Sequence, residues 1–290
     1  MASAAKKLVV CGGNGFLGSR ICKFGVQRGW EVTSISRSGE PRWEAVSESR
    51  TAPTWARRVA WERADIFEPE TYAPLLRGAN YAVHSLGILL EADYKGILSG
   101  QDSPLAGLRK ILGAGATAPS TPASPKNKHL TYEAMNRDSA ILAAKAAAEG
   151  GVDAFAYISA SSGAPGLPAR YLSTKRDAEE QLAAAAAAKP AAGVPPLGRP
   201  IFVRAPFMYD AGARPLTLPL AAIAGAGTVA NRFTGGALSG LLGTMGTKPL
   251  KVDEVAEAVV EALSDQSVSG AIEVSQIIEL ANRAWRKGML

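Results

Sequence analysis

Cysteine and histidine are scarce in this chain of 290 residues, with two of each: Cys11 and Cys22, His84 and His129. Two thiols this close in sequence make no disulfide framework, which predicts a reducing compartment. No CxxC or HxxxH spacing occurs, so no metal site is expected. Aromatic residues reach only 7%, and no basic run is interleaved with them. Without an arginine-rich helix either, nucleic acid is excluded as a partner. No apolar run attains the roughly 18 residues of a spanning helix. Charge of neither sign dominates, since 32 basic against 26 acidic side chains leave +6. That balance suits anionic ligands or an anionic surface. Met1-Ala-Ser-Ala-Ala-Lys-Lys7 carries no visible signal or transit pattern, which predicts a cytosolic chain or numbering from a processed start.

What is present is an apolar share of 47% on a length sufficient for one large core and a small lobe. Strand and helix patterns alternate through the first two thirds, the signature of a parallel sheet covered on both faces. Strands are expected at 8–11, 31–36, 59–63, 81–85, 154–158 and 201–204, with a last one at 271–274. Helices are expected over 16–28, 70–77, 132–150, 171–188, 253–263 and 276–287, with Asp253 as an N-cap. The segment between the second and third strands reads as polar, with Pro41 and Pro53. Residues 99–131 turn to Gly, Ala, Pro, Ser and Lys, too poor in apolar surface to fold alone, and are expected to be a disordered insertion. Leu216–Leu250 is apolar and glycine-rich but interrupted by Pro219, Arg232 and Pro249. The expected organisation is an α/β core over 1–205, a doubly wound parallel sheet, with a C-terminal lobe over 206–290.

One stretch organises the rest. Leu8-Val9-Val10-Cys11 is an apolar strand, and Gly12, Gly15 and Gly18 follow at three-residue intervals. Phe16 and Leu17 then open a helical pattern. A strand, a glycine turn and a helix in that order form a cradle for a dinucleotide pyrophosphate. The first glycine permits the turn, the second bare approach of the phosphates, and the third close helix packing, while the helix N-terminus offers free amides. At the end of the second strand, Ser36-Arg37-Ser38 stands where an acidic residue would select the unphosphorylated ribose. A guanidinium with hydroxyls suits a 2′-phosphate, so NADP is favoured over NAD. Arg37 as a solvated surface residue is the alternative. Asp65, after the third strand, stands to meet the adenine amine or simply to cap the next turn.

A second constellation is Tyr171-Leu-Ser-Thr-Lys175. Residues four apart share a helix face, so the phenol and ammonium point the same way, and the ammonium is expected to pull the Tyr pKa down towards working pH. Beside a hydride carrier, that pair makes a proton donor or base. Ser159, Ser161 and Ser162 at the end of the fifth strand stand ready to hydrogen-bond a substrate oxygen. Asn136 either orients a water or Lys175, or is an ordinary helix-surface residue.

Together Gly12-Gly-Asn-Gly15-Phe-Leu-Gly18, Asp65-Ile66, His84-Ser-Leu-Gly87, Ser159-Ala-Ser161, Tyr171-x-x-x-Lys175 and Arg204-Ala-Pro-Phe-Met-Tyr-Asp210 resemble the extended and atypical short-chain dehydrogenase/reductases. Val9 to Lys23, Ser36 to Pro41, Gly87 to Glu91 and Lys248 to Ala256 are similar to a fungal mitochondrial group related to the nucleotide-binding accessory subunit of respiratory complex I. The resemblance implies a Rossmann fold with Gly12, Gly15, Phe16, Leu17, Gly18 and Gly87 around the dinucleotide. It places Arg37 at the adenosine ribose and Asp65 and Ile66 by the adenine. Tyr171 is implied as acid/base, Lys175 at the nicotinamide ribose, and Ser161 or Ser159 and Asn136 as assistants. It further implies a place among the ubiquinone-biosynthesis complex proteins on the matrix face of the mitochondrial inner membrane, with a prenylated ring as substrate. The alternatives are a non-catalytic subunit with structurally bound NADP(H), and a soluble reductase or sugar-nucleotide epimerase. Cys11 stands where the family has Thr or Ser, and His84-Ser-Leu-Gly87 replaces its Asn/Ala-rich motif.

Overall fold

The first strand, β1 (Lys7–Cys11), sends Leu8 and Val10 to one side of a sheet and Val9 and Cys11 to the other. All four are buried, and such two-sided burial is what a parallel sheet demands. The computed structural model describes residues 5–88, 131–161, 169–190, 195–212 and 247–289. The expected insertion lies outside the described residues except for Thr131, as do Ser162 and most of Leu216–Leu250.

Helix α1 (Phe16–Gln27) returns the chain to β2 (Glu31–Ser36), and β3 (Val59–Arg63) and β4 (Tyr81–His84) follow. Beyond these come β5 (Ala154–Ala160), β6 (Arg199–Ala205) and, late in the chain, β9 (Gly270–Ile272). These seven strands form one parallel sheet in the order β3-β2-β1-β4-β5-β6-β9. The order reverses between β1 and β4, where Cys11 lies beside His84. Two short strands, β7 (Met208–Tyr209) and β8 (Leu250–Lys251), pair separately. Neither was legible in the sequence.

Two short helices, α2 (Trp43–Val46) and α3 (Ala73–Leu76), precede and follow β3. The segment expected to be merely polar holds α2 and a 3-10 turn at Thr54–Arg58. There Trp43 stands edge-on to Trp55 and Trp61, with ring centroids 5.5 and 5.8 Å away. A satellite apolar cluster of this kind needs no periodicity, which is why the pattern hid it.

On one face of the sheet lie α4 (Ser139–Glu149) and α5 (Ala169–Ala187). The alanines Ala140, Ala143, Ala144 and Ala147 let α4 approach Phe155 and Tyr157 closely. The expected helix over 132–150 does not run evenly. Its first part, Glu133–Asp138, is a π turn. The opposite face carries α1, α6 (Val252–Ser264) and α7 (Val274–Gly288). Val255, Val259 and Leu263 of α6 are fully buried, each worth about 1.5–3 kcal/mol of transfer energy. Asp253 is not the N-cap of α6. Lys251 holds that position, its backbone N–H donating to Glu254 at 3.2 Å. Thus β9, α6 and α7, expected within a lobe, extend the sheet and its helical layer.

Candidate functional site

The turn after β1 is built by close backbone approach. Gly12 has φ of +86°, the left-handed region that favours glycine. Its N–H donates to Ile35 O at 2.8 Å, and its carbonyl accepts from Gly15 N–H at 2.9 Å. A Cβ on Gly18 would lie 2.1 Å from the Gly12 oxygen, and one on Gly15 would lie 3.1 Å from it. Helix α1 therefore begins hard against the turn. Gly15, its N-cap, has no side chain with which to occupy the first-turn amides. Phe16 is half-buried and Leu17 buried, both against the core. This cradle is one that any larger residue would fill, and it fits a pyrophosphate.

Beside it, at the end of β2, Arg37 and Ser38 are exposed, and Asn14 Nδ2 donates to Ser38 Oγ at 2.7 Å. Sequence reasoning missed a neighbour: a Cβ on Gly39 would lie 3.2 Å from Cγ of Arg63, so this second guanidinium side chain runs along the same turn. The parallel pairing of Ser36 with Arg63 could have flagged it. Asp65 Oδ1 accepts from Phe67 N–H at 3.0 Å, a turn-capping bond, and Ile66 is buried beneath it.

Across the switch point the loop after β4 meets α5. A Cβ on Gly87 would lie 2.8 Å from Asn136 Oδ1 and 3.2 Å from Lys175 Nζ. Asn136 is fully buried, not a surface residue, and its amide bonds both Ile88 N–H (3.0 Å) and Ile88 O (3.3 Å). Lys175 donates to Ile158 O at 2.9 Å and sits 4.8 Å over the Tyr157 ring. Burial brings its ammonium down to about 7, with Glu179 pulling the other way. Gly87, Asn136 and Lys175 thus converge, with Tyr157 beside them.

Tyr171 is flanked edge-on by Tyr132, with centroids 5.8 Å apart. Burial, reinforced by Tyr132, pushes its phenol up to about 12. This reverses the expected direction, because the desolvation of the phenolate outweighs any help from a neighbouring cation. Arg170 and Glu133 pair at 2.7 Å and tie the start of α5 to the π turn.

The Ser159 hydroxyl is tied to α5. It is buried, donates to Glu179 Oε1 at 2.5 Å and accepts from Arg176 at 3.0 Å. Burial alone would raise the Glu179 carboxyl, but bonds from Arg204 and Ser159 outweigh it and hold the group below the ordinary carboxylate range. Ser161 lies at the strand end, its N–H donating to Ala205 O at 2.9 Å.

No family model matches the sequence. MIOREX complex component 2 of Saccharomyces cerevisiae is 38% identical over 218 residues, 70% of this chain and 73% of the yeast protein. A short-chain dehydrogenase/reductase family oxidoreductase from Burkholderia thailandensis superposes over 93% of this chain and 90% of its own, with a TM-score of 0.59 at 13% identity. MoeE5, solved with UDP-glucose and NAD, covers 96% of this chain and 81% of its own, with a TM-score of 0.53 at 16% identity. The chain belongs to the family of yeast MIOREX complex component 2, built on the short-chain dehydrogenase/reductase fold.

Proposed function

We propose that this protein binds a nicotinamide dinucleotide, NADP(H) in preference to NAD(H), at the C-terminal edge of β1 and β4. The observation that carries this is the close-packed glycine turn at Gly12, Gly15 and Gly18, which meets Ser85 and Leu86 of the loop that leads on to Gly87. The glycine turn and the α1 amides would hold the pyrophosphate, and Lys175 the nicotinamide ribose. Asp65 and Ile66 would border the adenine. Arg37, Ser38 and Arg63 would take a 2′-phosphate, a charge-assisted contact that NAD(H) cannot make. MoeE5, on the same fold, was solved with NAD, which supports the cofactor class. When bound, the dinucleotide would supply a hydride donor or acceptor. Burial keeps the Tyr171 phenol protonated at neutral pH and makes it a weaker acid than an exposed phenol, so the proton it would give goes to an oxygen already taking on negative charge as hydride arrives. Ser161, at the end of β5, is the residue we assign to assist at that oxygen.

The reaction we propose is a redox step on a prenylated ring in ubiquinone biosynthesis, in a multi-protein assembly on the matrix side of the mitochondrial inner membrane. The yeast relative, by its name a complex component, supports the assembly. The motifs shared with the fungal mitochondrial group support the pathway. The test has two parts. Calorimetry of the purified protein should find dinucleotide binding, with NADPH tighter than NADH; failure to bind either at millimolar concentration overturns the reading. In cells, Tyr171→Phe should lower ubiquinone and raise a ring precursor.

A second reading, a non-catalytic subunit with a structurally held dinucleotide, is favoured by the Ser159 hydroxyl being held by Glu179 and Arg176. Under it Tyr171→Phe leaves ubiquinone unchanged, while Gly15→Val dissolves the assembly.

A further inference from the structure

The π turn at Glu133–Asp138 is braced by three buried side chains that the proposed chemistry does not use. In a regular helix each carbonyl accepts from the amide four residues on, and a π turn loosens that arrangement. Here two successive carbonyls also accept from side-chain hydroxyls. Ser139 Oγ donates to Met135 O at 2.9 Å, and the Tyr157 phenol donates to Asn136 O. With its only proton committed to Met135, the Ser139 hydroxyl accepts from His84 Nε2 at 2.9 Å. That fixes the imidazole as the Nε2–H tautomer and accounts for the bare Nδ1, which has no partner among the described residues. His84, Ser139 and Asn136 are all fully buried, and Tyr157 is too. The residue whose carbonyl Tyr157 holds is the one whose side chain clasps Ile88 and stands against Gly87 beside Lys175.

We propose that Tyr157, Ser139 and His84 are positioning residues, which hold the π turn so that Asn136 fixes the Gly87–Ile88 loop against Lys175 at the nicotinamide end of the site. This rests on the dinucleotide reading above, and it assigns these groups to one half of the ligand. The adenosine half lies on β2 and β3, remote in the sheet order from the brace.

The test uses the full chain and two variants that each remove one hydroxyl, Tyr157→Phe and Ser139→Ala, the latter also depriving His84 of its acceptor. Each is titrated calorimetrically with NADPH and with 2′-phospho-ADP, which has the adenosine and pyrophosphate but no nicotinamide ribose. The expected result is an NADPH Kd raised by about fivefold or more in both variants, the size of one lost hydrogen bond. The Kd for 2′-phospho-ADP should stay within about twofold, since its contacts are untouched. Unchanged NADPH affinity overturns the proposal. Equal weakening of both ligands also overturns it, because the brace then serves only the fold as a whole. If the unaltered protein binds neither ligand, the dinucleotide reading fails first and takes the proposal with it.

Discussion

The carbonyl oxygen of Gly12 occupies the space that a side chain on Gly18 would need, at 2.1 Å from its Cβ position. Because that oxygen belongs to backbone, the overlap cannot be relieved by a rotamer change. Gly18→Ala should therefore push α1 away from the turn, costing about 1–3 kcal/mol of stability and weakening dinucleotide binding by about tenfold or more. Thermal melting and calorimetry check both. An unshifted melting curve with unshifted affinity would falsify the cradle.

In the proposed reading, cofactor choice resides at the ends of β2 and β3. Arg37→Ala and Arg63→Ala should each weaken NADPH binding by about tenfold, the worth of a charge-assisted hydrogen bond, and leave NADH within about twofold. Parallel titrations measure the ratio, and an equal loss for both dinucleotides would assign the two arginines to general electrostatics.

Much of the fold was legible beforehand, and the reasons are local. β2 and β3 fall where their β-branched and apolar residues ended, at Glu31–Ser36 and Val59–Arg63. Gly29 and Gly78 close their elements with φ of +75° and +69°. At the site, the strand order brings the loop with Gly87 next to Lys175, whereas the sequence leaves the burial of Asn136 beside them open between two readings. What the pattern could not carry was tertiary. The ammonium of Lys175 bonds a main-chain carbonyl, and the phenol of Tyr171 feels its own burial more than any cation. Ser159 and Ser161 looked equivalent in sequence, and only the packing of Glu179 against the strand separates them.

His84 gives the fold an acid-labile point. Burial first, and the charge of Lys175 second, lower its pKa from 6.5 to about 3. The unfolded chain therefore takes up this proton before the folded one, so stability rises with pH between about 3 and 6.5 and is lost as pH falls through that window. His84→Gln should flatten this slope by up to about 1.4 kcal/mol per pH unit, read from denaturant melts across the range. A slope that stays as steep would show that the imidazole is not the group responsible.

Glu261 offers a contrast in ion pairing. Its carboxylate is fully buried in α6 yet receives Lys287 of α7 at 2.5 Å and Arg28 at the end of α1. Burial alone would raise the carboxyl, and the bonds from Lys287 and Arg28 overcome that and lower it. Glu261→Gln should cost about 2–4 kcal/mol by taking the counter-charge away from Arg28, Arg283 and Lys287 and turning an amide donor towards them. Lys287→Ala, whose ammonium is half in water, should cost no more than about 1 kcal/mol. Equilibrium unfolding of both variants ranks them, and a reversed order would contradict the asymmetry of exposure.

The tryptophan cluster gives the molecule an optical label of its own. Of the five indoles in the chain, Trp43, Trp55 and Trp61 gather beside the β2–β3 end of the sheet, and Trp61 pairs across the strands with Ser34. Tyr132, Tyr157 and Tyr171 surround the opposite half of the cleft. Emission excited at the indole band reports chiefly on the β2–β3 edge, whereas ultraviolet difference spectra of the phenols report on the π turn. The two halves of the proposed ligand could thus be followed at two wavelengths without attaching a dye.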